Sequence, residues 1–199
     1  MTDRTIPFYN TILRCDNYIV NETVLPAGFS VVTYQKGYEK AWAAMECDEG
    51  DFSSAEEAEK YFTAAYLQDE EQLGNILFAV NSQNEVVGSC IAWRDKREAS
   101  EISSLHWLIV DERYRGMGLG KALCGSVMNI FEKQRALPIY IHTQPWSVKA
   151  IFLYLSMGFK IQKTDTFSHY INEYDKAMDT LKKIVSKKQY ELLCELSEQ

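Results

Sequence analysis

Between Arg113 and Lys121 the chain reads Arg-Tyr-Arg-Gly-Met-Gly-Leu-Gly-Lys, with alternate glycines at Gly116, Gly118 and Gly120. Glycines lack the Cβ atoms that would hold backbone N–H groups away from an anion. A helix opening directly afterwards adds unpaired N–H groups and the positive end of its dipole. With charge from Arg115 and Lys121, the chemistry implied is the holding of a phosphate or pyrophosphate. Spacing excludes two familiar loops. The pattern G-x-x-x-x-G-K-[ST] fails because its first and last positions hold Arg115 and Ala122. The fingerprint G-x-G-x-x-G, begun at Gly116 or Gly118, ends on Lys121 or Leu123. What remains is Arg115-x-x-Gly118-x-Gly120.

The surrounding elements must place that loop. Residues 101–110 form the longest strand candidate, and their apolar second half reads as a strand covered on both faces. After the glycines, Leu119, Leu123, Val127, Ile130 and Phe131 recur at helical spacing. Strands are also expected at 17–20, 29–34, 75–80, 85–93 and 139–143, with a hairpin at 81–84. Helices are expected at 38–47, at 54–67 behind the Ser54/Glu57 capping signature, and at 147–159, ended by Gly158. Residues 160–164 allow a further strand. Beyond them, 173–195 read as one long amphipathic helix, with Tyr174, Met178, Leu181 and Val185 on a stripe that could pack on a second copy in a homodimer or on the chain's own sheet. The class is mixed α/β with a largely antiparallel sheet.

Composition narrows the function. The chain has 199 residues and a formal charge of -7, from 21 Lys and Arg against 28 Asp and Glu, which argues against a general nucleic-acid binder. Cys15, Cys47, Cys90, Cys124 and Cys194 are odd in number, scattered and never in C-x-x-C, so neither a disulfide framework nor a metal site is indicated. No stretch reaches the ~20 apolar residues of a membrane span, and the N-terminal residues lack the apolar core of a signal peptide. A single cytoplasmic domain over 1–199 is expected, with no membrane partner.

A second motif lies about 30 residues past the glycine loop: Ser147-x-x-Ala150-x-x-Leu153-Tyr154-x-x-x-Gly158-Phe159. Together the two resemble the GNAT superfamily of acyl-CoA-dependent N-acyltransferases, and within it a bacterial branch. There Arg-x-x-Gly-x-Gly follows a splayed strand, and a run Asn-x-x-Ala-x-x-Leu-Tyr-x-x-x-Gly-Phe comes next. Only the leading Asn differs here, replaced by Ser147. The resemblance covers about 28–163 and leaves a C-terminal helical extension at about 173–195. It implies a mixed, mostly antiparallel twisted sheet with a splay between the family's fourth and fifth strands, and helices on both faces. It also implies acetyl-CoA as co-substrate, without a metal.

Carried onto this chain, the resemblance puts the pantetheine arm along Leu108, Ile109 and Val110, with the Leu108 N–H donating to the thioester oxygen. The pyrophosphate falls to Arg115, Gly116, Met117, Gly118, Leu119, Gly120 and Lys121, and Ser147, Ala150 and Tyr154 complete the coenzyme's surroundings. Tyr154 is the candidate acid for the leaving sulfur, since a phenol with pKa near ~10 stays protonated at neutral pH. For the base several candidates stand. His106 shares a strand face with Leu108 if the strand is regular, and His142 ends the neighbouring strand. Glu101, Asp51 or a water are the others. A bulge would change which side chains share that face.

The first two helices are acidic, with Glu46, Asp48, Glu49, Asp51, Glu56, Glu57, Glu59, Asp69, Glu70 and Glu71 against Lys60. Such a rim would draw a cationic amine, or is simply a solvated face. Trp107 and Trp146 are candidates to line the acceptor site. The expected activity is an N-acetyltransferase acting on a small-molecule or peptide amine. A non-catalytic acyl-CoA sensor is the alternative.

Overall fold

Residues 3–17, 24–95 and 101–198 are described in the computed structural model of the chain. Of these, 24–94 and 105–135 form one compact unit, and 3–17, 95, 101–104 and 136–198 form another.

In the first unit, strands β2 (Phe29–Thr33), β3 (Ile76–Asn81) and β4 (Val86–Asp95) pair antiparallel in that order, and β5 (Ile102–Val110) follows β4. Helices α1 (Tyr38–Glu49) and α2 (Ala55–Tyr66) lie between β2 and β3 in the chain, and α3 (Leu119–Gln134) follows β5. Ser54 caps α2, its hydroxyl accepting from the Glu57 N–H at 3.2 Å as the sequence signature predicts. Trp42, Ala43 and Met45 of α1 meet Ala58, Phe62 and Tyr66 of α2 over Ile76, Phe78, Ile91 and Ile109 of the strands. The opposite sheet face meets α3 at Gly88. A Cβ there would stand 2.8 Å from the Ile109 carbonyl and 3.2 Å from Leu123 Cδ1, so only glycine lets β4 lie this close.

In the second unit the first described strand precedes the one expected at 17–20. Residues 18–20 lie outside the described ones, and β1 is Thr11–Cys15, with Ile12, Leu13 and Cys15 fully buried. It lies between β6 (Ile139–Thr143) and β7 (Lys160–Gln162), antiparallel to both. The parallel ladder of β5 with β6 comprises Ser103↔Ile139 and Ser104↔Tyr140. A strand after residue 163 exists: β8 (Ser197–Glu198) pairs parallel with β7.

Helix α4 (Val148–Ser156) follows a short 3-10 turn at Pro145–Ser147 and ends at Gly158, whose φ is 94°. The single C-terminal helix expected at 173–195 is two, α5 (Tyr174–Ile184) and α6 (Lys187–Glu195). Val185 is extended, and Ser186 caps α6 in a reciprocal box with Gln189, which turns the chain and restarts the helix. Met178 and Leu181 of α5 are buried in this unit, where α5 packs on β1 and the 145–147 turn. Among the described residues no helix is long and apolar enough to cross a membrane, and no group of three or more His, Cys, Asp or Glu residues is placed to hold a metal ion.

Candidate active site

The glycine loop lies in the first unit, between a short 3-10 turn at Glu112–Tyr114 and α3. Asp111 anchors the approach: its N–H donates to the Val87 carbonyl at 2.9 Å, and its carboxylate accepts from the Arg113 N–H at 3.0 Å. Gly116 has φ 81° and Gly118 has φ 90°, backbone conformations that L side chains rarely adopt. A Cβ at either would meet nothing within 4 Å, so the glycines serve backbone geometry, with open space in front of them. Gly118 is the N-cap of α3 and offers no side-chain acceptor. The first bond of the helix runs from the Ala122 N–H to the Gly118 carbonyl at 3.0 Å, which leaves the N–H groups of Leu119, Gly120 and Lys121 outside the intrahelical ladder. Leu119 is buried and pins the turn, while Lys121 and Met117 are exposed. The loop therefore presents backbone N–H groups at a helix start beside open space, an arrangement able to receive an anion.

Arg115 is not a free side chain waiting for a ligand. Its Nε donates to the Val110 carbonyl at 2.9 Å, and its Nη2 makes a charge-assisted hydrogen bond to Glu49 at the end of α1. The carbonyl of Val110, one of the residues expected along a pantetheine arm, thus already accepts one bond.

Strand β5 breaks its alternation where the thioester is expected. Trp107 has φ 49°, a left-handed residue inside a strand and the local geometry of a bulge. His106, Trp107 and Ile109 consequently all reach the α1/α2 side. His106 meets Tyr66, Trp107 meets Trp42, Phe52 and Tyr61, and Ile109 belongs to the same cluster. The expectation that His106 and Leu108 share a face rested on a regular strand, and the strand is not regular there. The Trp107 carbonyl accepts from the Ser89 hydroxyl at 3.3 Å.

His106 is half-buried, stacked near Trp93, with Nδ1 3.1 Å from the Tyr66 hydroxyl. If Nδ1 carries the hydrogen and donates to that oxygen, Nε2 is the nitrogen able to accept a proton. Asp51 and Glu101 are both exposed, and the Asp51 N–H closes the end of α1 on the Glu46 carbonyl.

In the second unit, Tyr154 on α4 is 5% exposed and sits beside Phe159 at 6.2 Å. Its carbonyl accepts from the Met157 and Phe159 N–H groups, which fixes the turn through Gly158. The Ser147 hydroxyl accepts from Gln144 Nε2 at 2.8 Å, and Ala150 lies on the first turn of α4. His142 pairs through Nε2 with Asn10 Oδ1 at 2.8 Å and stacks on Tyr170 at 3.9 Å. Burial, with a smaller contribution from the charge of His169, pushes its pKa down to about 4, so it is neutral at pH 7. Trp146 packs against Phe8, with the Arg4 guanidinium 4.7 Å from its ring.

Residues 38–159, more than half of the chain, match the model of the Acetyltransferase (GNAT) family. The chain belongs to that family. It is similar to N-acetyltransferase 8B of Rattus norvegicus, 32% identical over 108 residues that cover 53% of this chain and 46% of that protein.

Solved structures share the GNAT fold at lower identity. A GCN5-related N-acetyltransferase from Sphaerobacter thermophilus superposes with a TM-score of 0.58 at 19% identity, covering 77% of this chain and 48% of that one. An acetyltransferase from Streptococcus agalactiae gives 0.57 at 20%, covering 73% and 92%. The chain thus spans about half the length of the rat and Sphaerobacter proteins.

Two residues of this GNAT chain contact candidate site residues without belonging to either motif: Glu49, in the acidic rim, meets Arg115, and Tyr66, on α2, meets His106. Both act through side-chain contacts across long sequence separations, for which a single sequence carries no local signal.

Proposed function

We propose that this chain transfers an acetyl group from acetyl-CoA to a primary amine by direct attack on the thioester. The amine nitrogen bonds to the carbonyl carbon, the carbon–sulfur bond breaks, and the amine's extra proton passes to a base. The thiolate takes a proton from Tyr154. The observation that carries the reading is the turn from Arg115 to Gly120, where the left-handed Gly116 and Gly118 open α3 after β5 and a short 3-10 turn. In this reading the N–H groups from Gly116 to Lys121 bind the pyrophosphate, with the Arg115 and Lys121 side chains adding charge. The Leu108 N–H, next to the bulge, polarises the thioester carbonyl.

His106 is the base or the relay to it, with Tyr66 setting its tautomer. His142 is the weaker candidate, because its Nε2 is engaged by Asn10 and burial disfavours the imidazolium that a base must become. We read both units as parts of one transferase domain in the cytoplasm, since the family match runs through residues of each. An acceptor screen that follows free thiol release from acetyl-CoA tests the proposal. Thiol release with no amine would contradict it. A sensor that binds acyl-CoA without turning it over is the competing reading, and would give coenzyme binding but no release with any acceptor.

A further inference from the structure

We propose that Glu49 is a positioning residue that holds the Arg115 guanidinium ready for the pyrophosphate. The inference rests on the reading of Arg115 as a coenzyme ligand. A guanidinium offers a side edge, made by Nε and one Nη, and an end made by the two Nη groups. Here the side edge is spoken for: Nε donates to the Val110 carbonyl and Nη2 to Glu49. Among the described residues Nη1 donates to no protein acceptor, so the end is what remains for an incoming anion.

The two anchors come from rigid places. Val110 is the last residue of β5. Glu49 is the last residue of α1, and Gly50, at φ 84°, closes that helix with its N–H on the Cys47 carbonyl. A carboxylate at a helix C-terminus is at the unfavourable end of the dipole, and the last turn of α1 holds no basic residue to offset it. Arg115 supplies the missing counter-charge. The Glu49 side chain is 15% exposed and that of Arg115 is 35% exposed, so the carboxylate is the more enclosed member of the pair. Fixing a long side chain before binding spares the entropy of immobilising it on the ligand.

The test is a double-mutant cycle on coenzyme A affinity, measured by isothermal titration with the full chain. Glu49→Ala is expected to weaken coenzyme A about three- to tenfold and to add no further loss in an Arg115→Ala background. Glu49→Gln, whose amide oxygen still accepts from Nη2, is expected to stay within about twofold of the parent and keeps the test open should the alanine variant fold poorly. Unchanged or tighter binding by Glu49→Ala would overturn the proposal, making Glu49 a mere competitor of the phosphate. So would an equal loss in both backgrounds, or a loss in Glu49→Gln as large as in Glu49→Ala. If Arg115→Ala itself left coenzyme A binding untouched, the pyrophosphate reading would fall and the positioning role with it.

Discussion

Replacing Gly118 by alanine isolates the geometry on which the coenzyme reading depends. The added Cβ meets nothing within 4 Å, so no steric clash enters. The cost is that of holding an L residue at φ 90°, roughly 1–2 kcal/mol. For a chain of this size each kcal/mol lowers Tm by about 2–4 °C, which predicts a fall of about 2–8 °C without ligand. The variant can escape the strain only by re-aiming the N–H groups that open α3. Losing one charge-assisted hydrogen bond to the pyrophosphate costs about 1.5–3 kcal/mol, or about 10- to 150-fold in Kd. Thermal melts with and without coenzyme A, paired with isothermal titration, separate the two effects. The coenzyme should protect the variant much less than the parent at equal concentration. A variant that is as stable as the parent and binds coenzyme A as tightly would refute the reasoning, since the left-handed turn would then be neither required nor used.

Three other outcomes follow from the same structure. Tyr154→Phe should lower kcat on the order of 100-fold while leaving the coenzyme A Kd in place, read by steady-state kinetics beside titration; unchanged kcat removes Tyr154 as the acid. Tyr66→Phe takes away the oxygen 3.1 Å from His106 Nδ1. Steady-state kcat should fall while the coenzyme A Kd stays in place, and an unchanged kcat would show that this contact does not orient His106 for catalysis. His142 has a folded pKa of about 4 against an ordinary 6.5, so the unfolded chain binds its proton first as pH drops. The stability it contributes is intact above about pH 6.5 and is lost toward pH 4, on the order of 3 kcal/mol in all. Denaturant titrations across that window should show the slope in the parent and its loss in His142→Gln.

The features legible in the sequence are those fixed by local spacing. Arg115, Gly118 and Gly120 before an amphipathic run, and Tyr154 with Gly158 and Phe159, announce a loop and a helix end because each depends on neighbours a few residues away. Strand β1 was illegible for the opposite reason: Thr11–Cys15 pairs with Ile139–Thr143, far along the chain, and nothing local marks the partner. The break at Trp107 carries no glycine to betray it, so the apolar run His106–Val110 reads as regular strand. The restart at Ser186 was legible after all. Ser186 with Gln189 is the same capping signature that marks Ser54 with Glu57, obscured by an apolar stripe that runs up to the break. Arg115 shows the limit of motif reading, since its spacing gives the ligand it would bind and says nothing of Glu49.

The central claim, that the glycine loop holds an acyl-coenzyme A, is tested most directly by titrating acetyl-CoA into the full chain by calorimetry. Saturable binding at one site, with a Kd between about 1 μM and 1 mM, is the predicted result. A flat titration across that range would contradict it.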